Sequence, residues 1–338
     1  MIKTHSVHRT TGPYRPARRR TLVMLVALAA LTQAAAHAAD APWPDKTVTL
    51  VMPFAPGGMG DTLARLVAEQ LAKEWKQTVV VDNRAGAGGM IGNQAVARAA
   101  PDGYTLLMSI SQLVQAPALG MKVPYDVQKD FVPLVRVAGA LSIFATTDPA
   151  IKSLKDYVAL AQANAAKYPY GTYGAGTSSH IYAEVFNGQH KIQATQIPYK
   201  GAAPLLTDML GGQVPVAFTD LATTLPHIRS GKVRVFAVTG PRRSTALPDV
   251  PTFAEQGATD MDVVGWYGMF APAKTPREVV DKIRATLDKV LRLPEVQAKL
   301  AGFGLEPVSG PPEDFAKRIE GDLAYWRRVV TDNRIKAE

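Results

Sequence analysis

The amino-acid sequence predicts an α/β protein of two lobes, each a doubly wound sheet covered by helices. Three observations predict it. Strand-like and helix-like stretches alternate along nearly all of the 338 residues, the pattern of sheets flanked by helices. The first units repeat strand, glycine-rich loop and helix, and their strands are apolar throughout, as parallel strands buried on both faces are. With 47% hydrophobic residues, the chain is long enough to bury more than one core.

Each element follows from local pattern. Residues 47–52 (TVTLVM) read as a strand, and 61–75 as a helix with Leu63, Leu66, Val67, Leu71 and Trp75 on one face. Residues 78–81 make a second strand. The loop RAGAGGMIG (84–92) then opens a helix to about residue 100, and 104–108 follow the turn at 101–103 as a third strand. Residues 131–146 read as one extended stretch before a helix at about 153–167. A strand at 169–172 leads through YGAGTSSH (173–180) into another helix. Residues 193–198 lead through YKGAAP (199–204) into a helix ending at 210. Strands follow at 214–219, ending in Asp220, and at 233–239. VVGWYGMFAPAKTP (263–276) precedes amphipathic helices at about 276–292, 294–302 and 311–332. The second lobe is expected as an insertion: residues 39–140 and 240–338 form lobe 1, and residues 141–239 form lobe 2. Crossings near 140 and 240–265 would make a two-strand hinge.

The formal charge of +9 is misleading. Lys3, Arg9, Arg15, Arg18, Arg19 and Arg20 precede an apolar run at 22–31 and the small residues 34–38, the layout of a secretory leader. Residues 1–38 are therefore read as a signal peptide cleaved after Ala38. Arg19 and Arg20 leave Sec and twin-arginine export both open. Without the leader, 32 basic side chains face 29 acidic ones, or +3, which implies no nucleic-acid partner. The apolar run is too short for a permanent membrane anchor, so a soluble protein outside the cytoplasm is expected. The absence of cysteine excludes disulfides, thiolate metal sites and thiol nucleophiles.

Four loops share one design, with small residues between a strand and a helix N-terminus: 53–61, 86–93, 174–180 and 201–204. Helix N-termini carry unpaired N–H groups and partial positive charge, so they favour anions. In PFAPGGMGD (53–61), Gly57, Gly58 and Gly60 are expected to bring backbone amides close to a carboxylate. Phe54, Ala55, Pro56 and Asp61 belong to the same loop. Gly86, Ala87, Gly88 and Gly89 form the second loop, with Ser109 near it. Gly174, Gly176, Thr177, Ser178 and His180 form the third, and Lys200, Gly201 and Ala202 the fourth. Asp220 either meets an ammonium or hydroxyl group of a ligand or caps the following helix. Trp266 and Tyr267 are hinge core or a cleft wall, and Arg84 sits beside the mouth or neutralises a ligand.

Enzyme signatures fail. Neither glycine-rich loop completes a dinucleotide or P-loop motif. Ser178, Ser179, His180 and Asp220 permit a triad on paper, but adjacent residues at a helix start point apart and no G-x-S-x-G elbow is present. His180, His190 and His227 show no metal-ligand spacing. No catalysis, metal or cofactor is expected. A periplasmic hydrolase of a carboxylate ester or amide, and a sensor for a membrane signalling protein, stay open as rivals to solute binding.

PFAPGGMGDTLAR (53–65), VVVDNRAGAGGMIGNQAVARAAPDGYTLL (79–107), YGTYGAGTSSHIYAE (170–184), IPYKGAAPLLTDMLGGQV (197–214) and LPDVPTFAEQG (247–257) occur in that order. Together they resemble the receptors of tripartite tricarboxylate transporters, the Bug or TctC-like family, from about residue 44 to the C-terminus. The resemblance implies a two-lobed periplasmic receptor of the type II binding-protein fold, a monomer, that captures a small carboxylate and delivers it to membrane permease subunits. It also implies that the loops at 53–61 and 86–93 act as a pincer, with 174–180, 201–203 and Asp220 contributing from the other lobe. Ala85, where proline is common, and Asp82, where glutamate is frequent, depart from the pattern. The loop holding Tyr173 and Ala175 varies with ligand in the family.

Overall fold

The computed structural model describes residues 1–3, 6, 43–306, 308 and 311–336. The leader expected at 1–38 lies almost wholly outside the described residues. The chain divides into two compact units, Met1–Asp45 and Lys46–Glu338, and both sheets belong to the second.

The first strand, Val48–Met52 (β1), passes through the 53–58 loop into Met59–Trp75 (α1). Leu63, Leu66, Val67 and Leu71 of α1 are buried, each such side chain contributing about 1.5–3 kcal/mol. Val79–Asn83 (β2) leads through 84–89 into Met90–Ala97 (α2), and Thr105–Ile110 (β3) leads into Gln112–Ala118 (α3) with only Ser111 between. Phe131–Ala140 (β4) completes this run, and Ser142–Thr146 (β5) begins the next.

Leu154–Ala163 (α4) starts at Ser153, whose hydroxyl accepts the Asp156 N–H at 3.1 Å and caps the helix. Tyr170–Thr172 (β6), Ser178–Gln189 (α5), Gln196–Pro198 (β7) and Ala202–Leu210 (α6) follow. Val216–Asp220 (β8), Leu221–Arg229 (α7) and Arg234–Val238 (β9) complete the second set. The chain then returns as Gly265–Pro272 (β10) and ends in Arg277–Leu291 (α8), Pro294–Gly302 (α9) and Pro312–Asp332 (α10).

The strands form two five-stranded sheets, β2-β1-β3-β10-β4 and β7-β6-β8-β5-β9. β1 runs parallel to β2 and β3, while β10 is antiparallel to β3 and β4. β6 runs parallel to β7 and β8, while β5 is antiparallel to β8 and β9. The two orders are the same. With the one antiparallel strand set aside (β10 in one sheet, β5 in the other), each sheet has its first strand between its second and third, then the antiparallel strand, then its fourth at the edge. We call each sheet with its helices a lobe.

Two elements differ from the sequence expectation. Residues 131–146 are two strands rather than one: the chain leaves the first sheet after Ala140 and enters the second at Ser142, turning at Leu141. Helix α3 was not expected, because Pro117 lies inside it and its almost entirely buried sequence shows no polar face.

The core runs through both lobes. Phe144 packs against Tyr157 at 4.8 Å and Phe218 at 5.5 Å in the second lobe, while Phe131, Phe270 and Trp266 pack in the first. Helix α10 lies against both. Phe315 meets Trp266 edge-on at 5.2 Å, and Trp326 meets Tyr182 of α5 at 5.4 Å. Asp322 accepts from the Trp266 indole at 2.8 Å and from Arg318 at 2.6 Å, so the charge it buries is paired. Among the described residues no helix is long and apolar enough to cross a membrane.

Candidate ligand-binding cleft

Helix starts from both lobes and both interlobe crossings surround one cavity of about 50 Å³. The first lobe contributes Met52, Phe54, Ala55, Gly58, Met59, Gly60 and Asp61 from β1 and α1, and Ile110 and Ser111 from the β3–α3 junction. The crossings contribute Ala140, Leu141 and Ser142 on one side and Gly265, Trp266 and Tyr267 on the other. The second lobe contributes Tyr173, Ser178, Ala202 and Asp220. Among the described residues of this lining there is no lysine, arginine or histidine. Positive potential comes instead from the N-termini of α1, α5, α6 and α7, whose first residues line or adjoin it.

The lobes touch around this cavity. The Ala55 N–H donates to the Lys200 carbonyl at 3.0 Å, and the Met59 N–H donates to Thr223 Oγ1 at 3.0 Å. Gln115 of α3 and Ser178 of α5 exchange hydrogen bonds at 2.8 and 3.1 Å. Gly88, at φ 60°, sits so close to Ala175 that a Cβ there would collide with its carbonyl oxygen.

Two carboxylates face the cavity, one from each lobe, and their surroundings oppose each other. Asp61 is 6% exposed. Its Oδ2 accepts from the Gly57 N–H and from Arg65, each at 3.1 Å. Burial raises its pKa, but Arg65, the Gly57 amide and Asn83 outweigh burial and hold it below the usual carboxylate value. Asp220 is 7% exposed and caps α7, Oδ1 accepting the Thr223 N–H at 2.7 Å. Burial wins there and raises its pKa, the Thr223 bonds only countering it. Burial and then the Asp220 charge push Tyr173 up to about 12 and Tyr267 well above the usual phenol value. Both phenols therefore stay protonated.

Of the residues singled out in the sequence, Phe54, Ala55, Gly58, Asp61, Ser178, Ala202 and Asp220 line the cavity. Lys200 meets the β1–α1 loop through its carbonyl, and Gly201 lies against Ala55. Gly86, Ala87, Gly88 and Gly89 do not line it; they make a left-handed turn, Ala87 included, that presses on Ala175 and Phe54. Pro56 and Gly57 lie in the β1–α1 loop outside the lining. Ser109 is buried and donates to Asn93 at 3.0 Å. Thr177 donates to the Gly174 carbonyl at 2.6 Å, and the Gly176 N–H donates to His180 Nδ1 at 3.2 Å, so these residues shape their own loop. Arg84 pairs with Asp82 at 2.7 Å on the surface.

The triad drawn on paper is committed elsewhere: Ser178 to Gln115, Ser179 to the Phe218 carbonyl, His180 to Gly176 and Asp220 to Thr223. Among the described residues no group of three histidines or carboxylates is placed to hold a metal. Sequence reasoning missed Ser111, Ser142 and the apolar wall of Met52, Met59, Ile110 and Leu141. Ser111 carried one readable signal, a small polar residue directly after a strand. Met52, Met59 and Ile110 flank strand-to-helix junctions, while Leu141 and Ser142 reach the cavity through the crossing between the two sheets.

Comparison with known proteins places this geometry. Residues 63–335 match the model of the tripartite tricarboxylate transporter family receptor. The chain belongs to that family. It is 34% identical to protein BugT of Bordetella pertussis over 87% of this chain and 91% of BugT. The R. palustris protein Rpa4515, solved with adipate, superposes with a TM-score of 0.82 at 32% identity, covering 87% of this chain and 99% of that one. MatC from Rhodopseudomonas palustris, solved with bound malate, superposes at 0.81 and 31% identity over 85% and 100%. The fold and family are thus those of periplasmic solute-binding receptors, and members similar to this chain hold carboxylates.

Proposed function

We propose that this protein is an exported periplasmic receptor, monomeric and without chemistry of its own. It captures a small carboxylate between its lobes and delivers it to the permease subunits of a tripartite tricarboxylate-type transporter. One observation carries the reading: helix N-termini from both lobes converge on a cavity whose lining has no cationic side chain. Such a site neutralises a carboxylate with amides and dipoles, not with a rigid salt bridge. Phe54, Met52, Trp266 and Tyr267 then give the rest of the ligand an apolar wall.

The lobes meet over a cavity with space for only a few waters, so the ligand enters when they part. The crossings at Leu141 and at 239–264 are the hinge about which they part, and 141–239 is the moving insert. A ligand that binds the closed arrangement more tightly shifts the population by that difference in affinity.

A thermal-shift screen tests this. The protein is freed of co-purified ligand by unfolding and refolding, then screened against small carboxylates and their amides. A carboxylate at a hundred times its dissociation constant should stabilise the fold by about 2.7 kcal/mol. Hydrolysis of an ester or amide that stops in Ser178→Ala would replace the receptor reading with a hydrolase.

A further inference from the structure

Three side chains of α10 grip the strand by which the second crossing re-enters the first lobe. Phe315, Arg318 and Asp322 follow one another at steps of three and four residues, so they share one face of that helix. Phe315 meets the Trp266 ring edge-on at 5.2 Å, and a Cβ at Gly268 would strike the Phe315 ring. Arg318 donates to the Val264 carbonyl at 2.8 Å and to Asp322 Oδ1 at 2.6 Å. Asp322 Oδ2 accepts the Trp266 indole N–H at 2.8 Å. Asp322 is buried, and none of the three lines the interlobe cavity.

The strand they grip does line it, through Gly265, Trp266 and Tyr267. Both lobes fix the backbone there. The Trp266 N–H donates to Ser111 Oγ at 2.8 Å, and the Ser111 N–H donates to the Trp266 carbonyl at 3.2 Å. From the second lobe, Tyr182 donates to the Val263 carbonyl at 2.6 Å, one turn of α5 beyond Ser178. The indole itself is held by Asp322. Turning the ring away would strand its N–H in a dry core and leave half of a buried carboxylate unpaired, so the ring has one resting place.

We propose that Asp322, backed by Arg318, is a positioning residue for ligand affinity, acting only through the Trp266 indole that it holds in the cavity wall. This rests on the carboxylate-receptor reading above and adds to it a group that never meets the ligand. The C-terminal helix thereby bears on recognition, although none of its described residues lines the cavity.

Isothermal titration of the refolded protein tests it, with the carboxylate that gives the largest thermal shift in the screen above. Asp322→Leu keeps the volume of the side chain and removes both acceptors, while Arg318, 29% exposed, can turn to water. Affinity should fall roughly fivefold, the scale of one hydrogen bond. Asp322→Asn, which still offers the indole an acceptor, should recover most of the loss. In a Trp266→Phe background, Asp322→Leu should change affinity by no more than about twofold, because the group it acts through is gone. Nitrogen-15 spectra give a second reading. The Trp266 indole resonance, recognised by its loss in Trp266→Phe, should move in Asp322→Leu and also when wild type takes up the carboxylate. A pair that served the fold alone would lower the melting temperature and leave affinity untouched. Equal affinity in wild type and Asp322→Leu would overturn the inference and leave the receptor reading standing. The same loss in both backgrounds would do so too, as would an indole resonance that the carboxylate leaves in place. Failure of every carboxylate to bind wild type would remove both.

Discussion

In the first lobe the cavity is reached by a loop, six residues of proline, glycine and alanine with one large side chain, Phe54, between β1 and α1. In the second, β8 runs straight into α7, and Asp220 is at once the last residue of the strand and the cap of the helix. The sheets behind them have the same strand order, so the difference lies in how each lobe presents itself. The first lobe offers backbone where the lobes meet: the Ala55 and Met59 amides donate across, and Gly88, at φ 60°, lies against Ala175. The second offers side chains fixed by capping and packing, namely Tyr173, Ser178 and Asp220. One topology used twice thus yields a pliant half and a pre-set half. Closing is governed where the two touch.

The largest effect should come from Gly88→Ala. A left-handed φ costs an L-residue about 1–2 kcal/mol, and the added methyl would strike the Ala175 carbonyl of the opposite lobe. Affinity for the ligand should fall roughly ten- to hundredfold by titration while the circular dichroism spectrum is unchanged. Unaltered affinity would show that Gly88 and Ala175 do not meet in the bound protein. Gly321→Ala is the control away from the cavity. Gly321 is exposed within α10, and a Cβ there meets nothing within 4 Å, so binding should change by no more than about twofold.

A middle effect should come from Thr223→Val, which removes the acceptor for the Met59 N–H and the hydroxyl's bond to Asp220 but keeps the backbone bond of the Asp220 cap. One interlobe hydrogen bond contributes about 1 kcal/mol, so the dissociation constant should rise roughly fivefold. A scattering profile more extended than that of wild type would show that the loss is one of closure. An unchanged constant would mean the bond breaks on binding.

The same contrast explains what was legible in the sequence. Glycine and proline punctuate strand-to-helix loops, so the β1–α1, β6–α5 and β7–α6 loops are readable, and the apolar periods of α1, α8 and α10 mark their helices. Helix α3 was not readable, since burial erased its polar face and Pro117 argued against it. Of Gly57, Gly58 and Gly60, the sequence implies one role for all three. The structure requires glycine conformation only at Gly57, while Gly60 sits in helix against Met52 and Gly58 has room. The turn at 86–89 lies outside the cavity lining and meets Ala175 of the other lobe, a neighbour that residue type, which specifies a turn's shape, does not name. Trp266 and Tyr267, read as hinge core or cleft wall, line the cavity, whereas the walls from Leu141 and Ser142 depend on where two sheets cross, which no local pattern encodes.

The smallest effect separates the two carboxylates by pH. The Asp61 pKa is lowered by folding, so its contribution to stability is present above 3.8 and is lost as pH falls through the lowered value. The Asp220 pKa is raised, so the folded state binds the proton more tightly. Its contribution is full below 3.8 and is lost as pH climbs through the raised value. Asp61→Asn should therefore cost up to about 1 kcal/mol at neutral pH and flatten the acid limb of a denaturation series. Asp220→Asn keeps an N-cap of equal quality while removing a buried charge, so stability at neutral pH should hold or rise. The decline above 3.8 should flatten in that variant. A neutral-pH loss in Asp220→Asn as large as that in Asp61→Asn would mean that the second lobe also relies on its charge. The contrast between a paired acid on the pliant half and an unpaired one on the pre-set half would then fail.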